Sequence, residues 1–80
     1  MTREELLAAV TEILRDIFDD DELIVTEETC SDDVEDWDSL EQINILVAIQ
    51  ERFGIQFSLD DVKGLENVGE TLDLIERKLS

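Results

Sequence analysis

The chain has 80 residues, of which 23 are acidic and six are basic, and it contains no histidine and no proline. A net charge of −17 excludes nucleic acid and anionic membranes as expected partners, since both would repel it, and indicates partners with basic patches. Without histidine, neither a Ser-His or Cys-His nucleophile nor a histidine-containing zinc site can form. The length and the hydrophobic fraction of 42% predict one small globular domain spanning residues 1–80.

No part of the sequence has the pattern of a membrane or export segment. The apolar runs fall well short of the roughly 18 residues that a membrane span requires. Residues 1–5, Met-Thr-Arg-Glu-Glu, also lack the apolar region of a signal peptide. These features predict a cytoplasmic protein with no membrane span.

The first predicted helix begins after Thr2, which can form a capping box with Glu5. The apolar residues that follow are spaced i, i+4, i+7, i+8 and i+11, the pattern of a helix with one buried stripe. This core-facing stripe comprises Leu6, Val10, Ile13, Leu14 and Ile17. We therefore interpret the first helix as scaffold.

The segment from Asp19 to Asp38 is rich in acidic residues, has no Lys or Arg and shows no helical period, so a long loop is predicted. Three apolar residues along it, Ile24, Val25 and Val34, are expected to pack onto the bundle, and Trp37 to cover its end. Loops of this length in compact domains are often functional.

An acidic loop could bind calcium, but the spacing of its residues does not match a calcium-binding EF-hand loop. An EF-hand loop needs Gly at its sixth position and Glu at its twelfth. Counted from Asp19, these positions hold Ile24 and Cys30, and counted from Asp32 they hold Trp37 and Ile43. No metal site is predicted beyond a diffuse, weak affinity for divalent cations. Cys30 has no cationic neighbour in sequence, so a packing or loop role is favoured over a nucleophile.

The second helix is predicted to start at the triplet Asp38-Ser39-Leu40 and to run to Phe53. Two capping pairs fit, Asp38 with Glu41 and Ser39 with Gln42. A helix start also suits a phosphate, because its backbone N–H groups are unpaired and the helix dipole favours negative charge. At 100° per residue the helix carries two opposite apolar stripes, one of Ile45, Leu46, Ile49 and Phe53 and the other of Leu40, Ile43 and Val47. The second stripe indicates either a neighbouring helix or an external partner.

The remaining elements are short. Gly54 is expected to end the second helix, and residues 55–57 alternate like a strand but are too few to make a sheet. Ser58 with Asp61 begins a brief third helix, about residues 59–63, which ends at Gly64. Asn67 with Glu70 begins the fourth, whose inner face is predicted to comprise Val68, Leu72, Ile75 and Leu79. The predicted fold is all-α: a small antiparallel bundle of three principal helices plus one short helix, with a long loop between helices 1 and 2.

The pattern resembles an acyl carrier protein over essentially the whole chain. The resemblance extends upstream and into the last helix, but it rests mainly on a central set of motifs. These are Asp38-Ser39-Leu40, Ile43, Val47-Ala48-Ile49, Glu51, Phe53-Gly54-Ile55 and Phe57-Ser58-Leu59-Asp60-Asp61. It implies that Ser39 receives 4′-phosphopantetheine from coenzyme A through a phosphopantetheinyl transferase. It further implies that the terminal thiol then holds an acyl group as a thioester.

The resemblance also implies a surface for partner enzymes, formed by Asp38, Leu40, Ile43, Val47 and Glu51. The implied partners are enzymes that load or use acyl groups and present basic patches, and the carrier is expected to be a monomer. Family members commonly place glycine in the two positions where this chain has Asp36-Trp37. Gln42 and Asn44 stand where carriers of fatty acid synthesis often have Thr or an acid, which leaves the cargo open.

No enzyme activity and no catalytic residue are expected, because a chain of this size offers little room for a pocket that would tune a carboxylate pair. Two classes of function remain. The first is a covalent carrier whose chemistry is performed by others. The second is an acidic helical interaction module, an adaptor or inhibitor without a prosthetic group. Such a module would dock Leu40, Ile43 and Val47 onto a basic groove of its partner. Only the carrier requires Ser39.

Overall fold

A computed structural model describes residues 2–34 and 36–79, and these residues fold into four α-helices without a strand. The helices are α1 (Arg3–Ile17), α2 (Ser39–Phe53), α3 (Leu59–Val62) and α4 (Val68–Leu79). A short 3-10 turn, Ser31–Asp33, lies inside the long α1–α2 loop and was not predicted. The predicted all-α bundle of three principal helices and one short helix is confirmed.

The capping residues chosen from the sequence start the helices where expected. Thr2 and Glu5 form a reciprocal capping box at α1, and the backbone N–H of Thr2 lowers the pKa of the Glu5 carboxyl. Ser58 and Asp61 do the same at α3. Gly54 ends α2 in the left-handed region, with φ of 67°, a conformation that favours glycine.

The core lies between α1, α2 and α4. The stripe of α1 packs against one side of α2 and against α4, and Val25 from the loop closes the core. Its fully or nearly fully buried members are Leu6, Val10, Leu14, Ile45, Ile49, Val68, Leu72 and Ile75. Because α2 is buried on this side, its opposite side is left for solvent or a partner.

The long loop is tied to the bundle at both ends and in the middle. At its ends, the rings of Phe18 and Trp37 lie with centroids 5.9 Å apart. In the middle, the carbonyls of Glu27 and Thr29 accept hydrogen bonds from the first amides of α4, those of Gly69 (2.7 Å) and Val68 (2.8 Å). The loop backbone therefore satisfies donors that a helix start leaves unpaired.

Arg3 links three parts of the chain. Its guanidinium donates to carboxylates of Glu27 in the loop (2.7 Å) and of Asp73 (2.7 Å) and Glu76 in α4, and to the carbonyl of Gly69 (3.0 Å). These hydrogen bonds, that with Glu27 foremost, raise the pKa of Arg3. The N-terminus of α1 is thus held to the loop and to α4.

Two expectations about buried apolar residues are wrong. Ile24 is 79% exposed and lies in residues 23–26, which have no regular secondary structure. Its two neighbours, Leu23 and Val25, pack against the core in its place. Leu79, at the last turn of α4, is 43% exposed because it lies one turn beyond Ile75, the last residue of α4 in the core.

A second buried side of α4 was missed. Leu74 is fully buried and Thr71 nearly so, and with Lys78 they follow helical spacing. Lys78 reaches the Asp61 carboxylate of α3 at 2.8 Å, so this side faces the short helix. Two of its three residues are polar, so apolar periodicity in the sequence does not reveal this side.

Candidate functional site

The start of α2 is capped by Asp38, which settles the choice between the two predicted capping pairs. The Asp38 carboxylate accepts the backbone N–H of Glu41 at 2.9 Å, and its carbonyl accepts that of Gln42 at 3.0 Å. Ser39 is therefore the first residue inside the helix, and its exposed hydroxyl is not used as a cap. Of the two predicted capping pairs, Asp38 with Glu41 forms and Ser39 with Gln42 does not.

The first two amides of α2, those of Ser39 and Leu40, make no hydrogen bond within residues 2–34 and 36–79. Unpaired N–H groups at a helix start attract negative charge. The Ser39 hydroxyl thus lies where a phosphate ester would meet two backbone donors.

The two stripes of α2 differ in exposure as predicted. Leu40, Ile43 and Val47 are exposed by 64%, 58% and 46%. The opposite stripe holds Ile45, Leu46 and Ile49 in the interior, with Phe53 partly covered. Asp38 and Glu51 are also exposed, so the five residues of the predicted partner surface are all open to solvent. We call Leu40, Ile43 and Val47 the apolar face of α2.

A cleft of about 520 Å³ opens beside Ser39. Its walls come from the 3-10 turn, the start of α2, α3, the α3–α4 connection and α4. Apolar side chains on these walls are Trp37, Ile43, Val62 and Leu65, and polar ones include Cys30, Ser31, Gln42, Asn67 and Thr71. The exposed Ser39 lies at the edge of the cleft, and the other lining residues come from segments far apart in sequence.

Comparisons with known proteins give the family. A model described as a phosphopantetheine attachment site matches residues 4–75. The chain is 33% identical over 75 residues to an acyl carrier protein of Acidothermus cellulolyticus, covering 94% of this chain and 89% of that protein. The chain belongs to the acyl carrier protein family. A second acyl carrier protein, from Petrotoga mobilis, is 31% identical over 80 residues and covers all of this chain, which spans 94% of that protein.

A solved structure supports the same assignment. The solution NMR structure of a holo acyl carrier protein from Geobacter metallireducens has a TM-score of 0.86 and 40% sequence identity. The likeness covers 92% of this chain and 85% of that one. A meromycolate extension acyl carrier protein of Mycobacterium tuberculosis is more distant, at 29% identity over 77 residues.

The family's prosthetic group is 4′-phosphopantetheine, and the start of α2 in this acyl carrier protein fits that group. A phosphoester needs a free hydroxyl, which Ser39 offers because Asp38 supplies the cap. The arm needs space beside the phosphate, and the cleft provides it. The arm also carries amide groups, and the polar walls of the cleft match such groups better than a purely apolar groove would.

Cys30 lines the cleft but has the surroundings of a structural residue. It is half-buried and precedes the 3-10 turn, where its backbone N–H donates to the Asp33 carboxylate at 3.0 Å. Its thiol lies 3.5 Å from the same carboxylate. A negative neighbour is the opposite of the cationic setting typical of nucleophilic cysteines.

The third helix forms one wall of the cleft and is held by an ion pair. The Lys78 ammonium, together with the backbone N–H of Ser58, lowers the pKa of Asp61 to about 2. The pair joins α3 to the end of α4, and Val62 of α3 lies on the cleft wall. This electrostatic tie therefore helps to position that wall.

The described residues contain neither a metal-binding cluster nor a membrane-spanning helix. Across residues 2–34 and 36–79, no group of three or more Cys, Asp or Glu residues is placed to hold a metal ion. Within the same ranges, no helix has the length and apolar character needed to cross a membrane.

Proposed function

We propose that this acyl carrier protein bears 4′-phosphopantetheine on Ser39 and presents acyl groups to partner enzymes through the apolar face of α2. The observation that carries the proposal is the free Ser39 hydroxyl, one residue inside a helix capped by its neighbour Asp38. When bound, the prosthetic group supplies a terminal thiol that holds the acyl group as a thioester. The protein itself contributes no catalytic residue.

The chain's own residues have separate tasks in this proposal. Ser39 provides the attachment oxygen, and the unpaired amides of Ser39 and Leu40 offset the negative charge of the phosphate. The apolar face of α2 packs against partner enzymes. Acidic residues bordering it, among them Asp38 and Glu51, attract the basic patches expected on a phosphopantetheinyl transferase and on enzymes that load or use acyl groups.

The attachment is tested by intact mass after treatment with coenzyme A and a phosphopantetheinyl transferase. The wild type should gain one phosphopantetheinyl group and Ser39→Ala none. Ser31→Ala is the matched control, because Ser31 lines the same cleft but lies in the 3-10 turn, and it should be modified like the wild type.

Loss of modification in Ser39→Ala must not reflect unfolding. Because Asp38 caps the helix, Ser39→Ala should cost about 0.5 kcal/mol or less of unfolding free energy, below the 0.5–2 kcal/mol expected for a lost cap. Modified Ser39→Ala, or a wild type that gains no mass with several active transferases, would contradict the proposal. The latter result would favour an interaction module without a prosthetic group.

A further inference from the structure

Gln42 and Asn67 are carboxamide side chains that line the cleft beside Ser39. The indole N–H of Trp37 donates to Gln42 Oε1 at 2.6 Å. An indole N–H can only donate, so the atom that meets it must be the amide oxygen. The NH₂ group of Gln42 is therefore not part of this contact.

Asn67 is fixed in the same way by the start of α4. The backbone N–H of Glu70 donates to Asn67 Oδ1 at 2.9 Å. A backbone N–H also can only donate, so the oxygen is again the atom committed to the fold. Neither Gln42 Nε2 nor Asn67 Nδ2 donates a hydrogen bond to any of residues 2–34 and 36–79.

Among the cleft residues, which also include the acids Asp38 and Glu66, Gln42 and Asn67 thus each carry an NH₂ group that can only donate. Each NH₂ has two N–H bonds and no acceptor capacity. Ligands that match these two NH₂ groups carry oxygen acceptors, whereas a plain hydrocarbon chain offers none. The volume of about 520 Å³ suits a small-molecule segment.

We propose that the NH₂ groups of Gln42 and Asn67 hold carbonyl or hydroxyl oxygens of the group attached at Ser39. The inference rests on the proposed function. Two sources of such oxygens exist, the amide carbonyls of the 4′-phosphopantetheine arm and an oxygen-bearing acyl cargo. In either case the two NH₂ groups favour oxygen-bearing contents at their part of the cleft, beside its apolar side chains.

Nuclear magnetic resonance of side-chain NH₂ groups tests this directly. The sequence has five carboxamides, Gln42, Asn44, Gln50, Gln56 and Asn67, so five pairs of NH₂ signals are expected. Asn44 donates to Glu41, and Gln50 is bonded at both ends, to the Leu46 carbonyl and the Phe57 amide. These two and the exposed Gln56 are internal controls because none lines the cleft.

Spectra are compared for the apo protein, the protein carrying phosphopantetheine, and that protein loaded with butyryl or 3-hydroxybutyryl groups. Intact mass confirms each state first, so a failure of attachment is separate from a failure of this inference. Shifts of the Gln42 and Asn67 NH₂ signals on attachment alone identify the arm as the source. Shifts that first appear on acylation identify the cargo, its thioester carbonyl if both acyl groups cause them and its hydroxyl oxygen if only 3-hydroxybutyryl does. Signals that move no more than the three controls in every state overturn the inference.

Two substitutions remove the donors but keep the fold contacts. Gln42→Glu retains an oxygen for Trp37, and Asn67→Asp retains one for the Glu70 amide. Each should weaken the nuclear Overhauser effects between the cleft and the attached group, while Asn44→Asp, which adds the same charge outside the cleft, should leave them intact. Undiminished effects in both cleft variants would also overturn the inference.

Discussion

The two sides of α2 make a sharp prediction, because Val47 and Ile49 are two residues apart and differ in burial from 46% exposed to fully buried. A domain of 80 residues has a total unfolding free energy of about 4–12 kcal/mol, taking about 0.05–0.15 kcal/mol per residue. Burying a valine fully is worth about 1.5 kcal/mol or more, and roughly half of Val47 is covered. Val47→Glu should therefore cost about 1 kcal/mol or less.

Ile49→Glu should lower the unfolding free energy far more than Val47→Glu does. Truncating a fully buried isoleucine to alanine costs about 2–5 kcal/mol, and an unpaired buried charge adds several kcal/mol. The sum reaches or exceeds the total stability, so Ile49→Glu should be largely unfolded without denaturant. Ile49→Ala should remain folded with a lower urea midpoint, which keeps the comparison measurable.

The assay has two readouts, urea unfolding followed by circular dichroism and the rate of phosphopantetheinyl transfer. Val47→Glu should stay folded yet react more slowly. Glutamate adds to the charge that attracts basic partners, so a slower reaction points to lost apolar contact. Ile24→Glu is the control, an exposed apolar residue in the loop that should change neither readout. Equal destabilisation at Val47 and Ile49 would refute the assignment of the two sides, and an unchanged rate for Val47→Glu would refute docking there.

Two further predictions concern electrostatics. Because Lys78 and the Ser58 amide hold the folded-state pKa of Asp61 at about 2, below its ordinary 3.8, the stabilisation is complete above pH 3.8 and lost as pH falls through about 2. A carboxyl ¹³C titration should show this value and its rise in Lys78→Met, and an unchanged value would exclude the ion pair. The domain is 31 Å in its longest dimension, and the Debye length falls from about 30 Å at 0.01 M salt to about 8 Å at 0.15 M. The melting temperature should therefore rise over that range while phosphopantetheinyl transfer slows, and a falling melting temperature would show that ion pairs outweigh the net charge of −17.

Features set by neighbouring residues were predictable from the sequence. Capping pairs three residues apart, such as Thr2 with Glu5 and Ser58 with Asp61, fixed the helix starts because both partners belong to one turn. Helical periodicity separated the two apolar sides of α2, and the resemblance to acyl carrier proteins indicated which side faces partners. Only at Asp38 and Ser39 did local rules fail to decide, since two overlapping pairs fitted equally well and the structure selected Asp38.

Features set by distant residues were not predictable. The carbonyls of Glu27 and Thr29 cap α4 from the loop. Every residue type has a backbone carbonyl, so the sequence of the loop does not indicate which carbonyls make this contact. Gly69 permits that approach, because a Cβ there would lie 3.0 Å from the Glu27 carbonyl oxygen. The buried Leu74 escaped detection because its helical neighbours on that side are Thr71 and Lys78.

The cleft combines both kinds of information. The orientation of each carboxamide is set locally, because the residue that hydrogen-bonds to its oxygen is near in sequence. Trp37 precedes Gln42 by five residues, and Glu70 follows Asn67 by three. Their placement on one cleft is a tertiary property that requires α2 and the α3–α4 connection to meet. Local contacts thus orient each amide before any ligand arrives, so binding an acceptor requires little reorganisation of the wall. A cleft ordered in this way favours a particular chemistry of the attached group even though the fold is shared with other carriers.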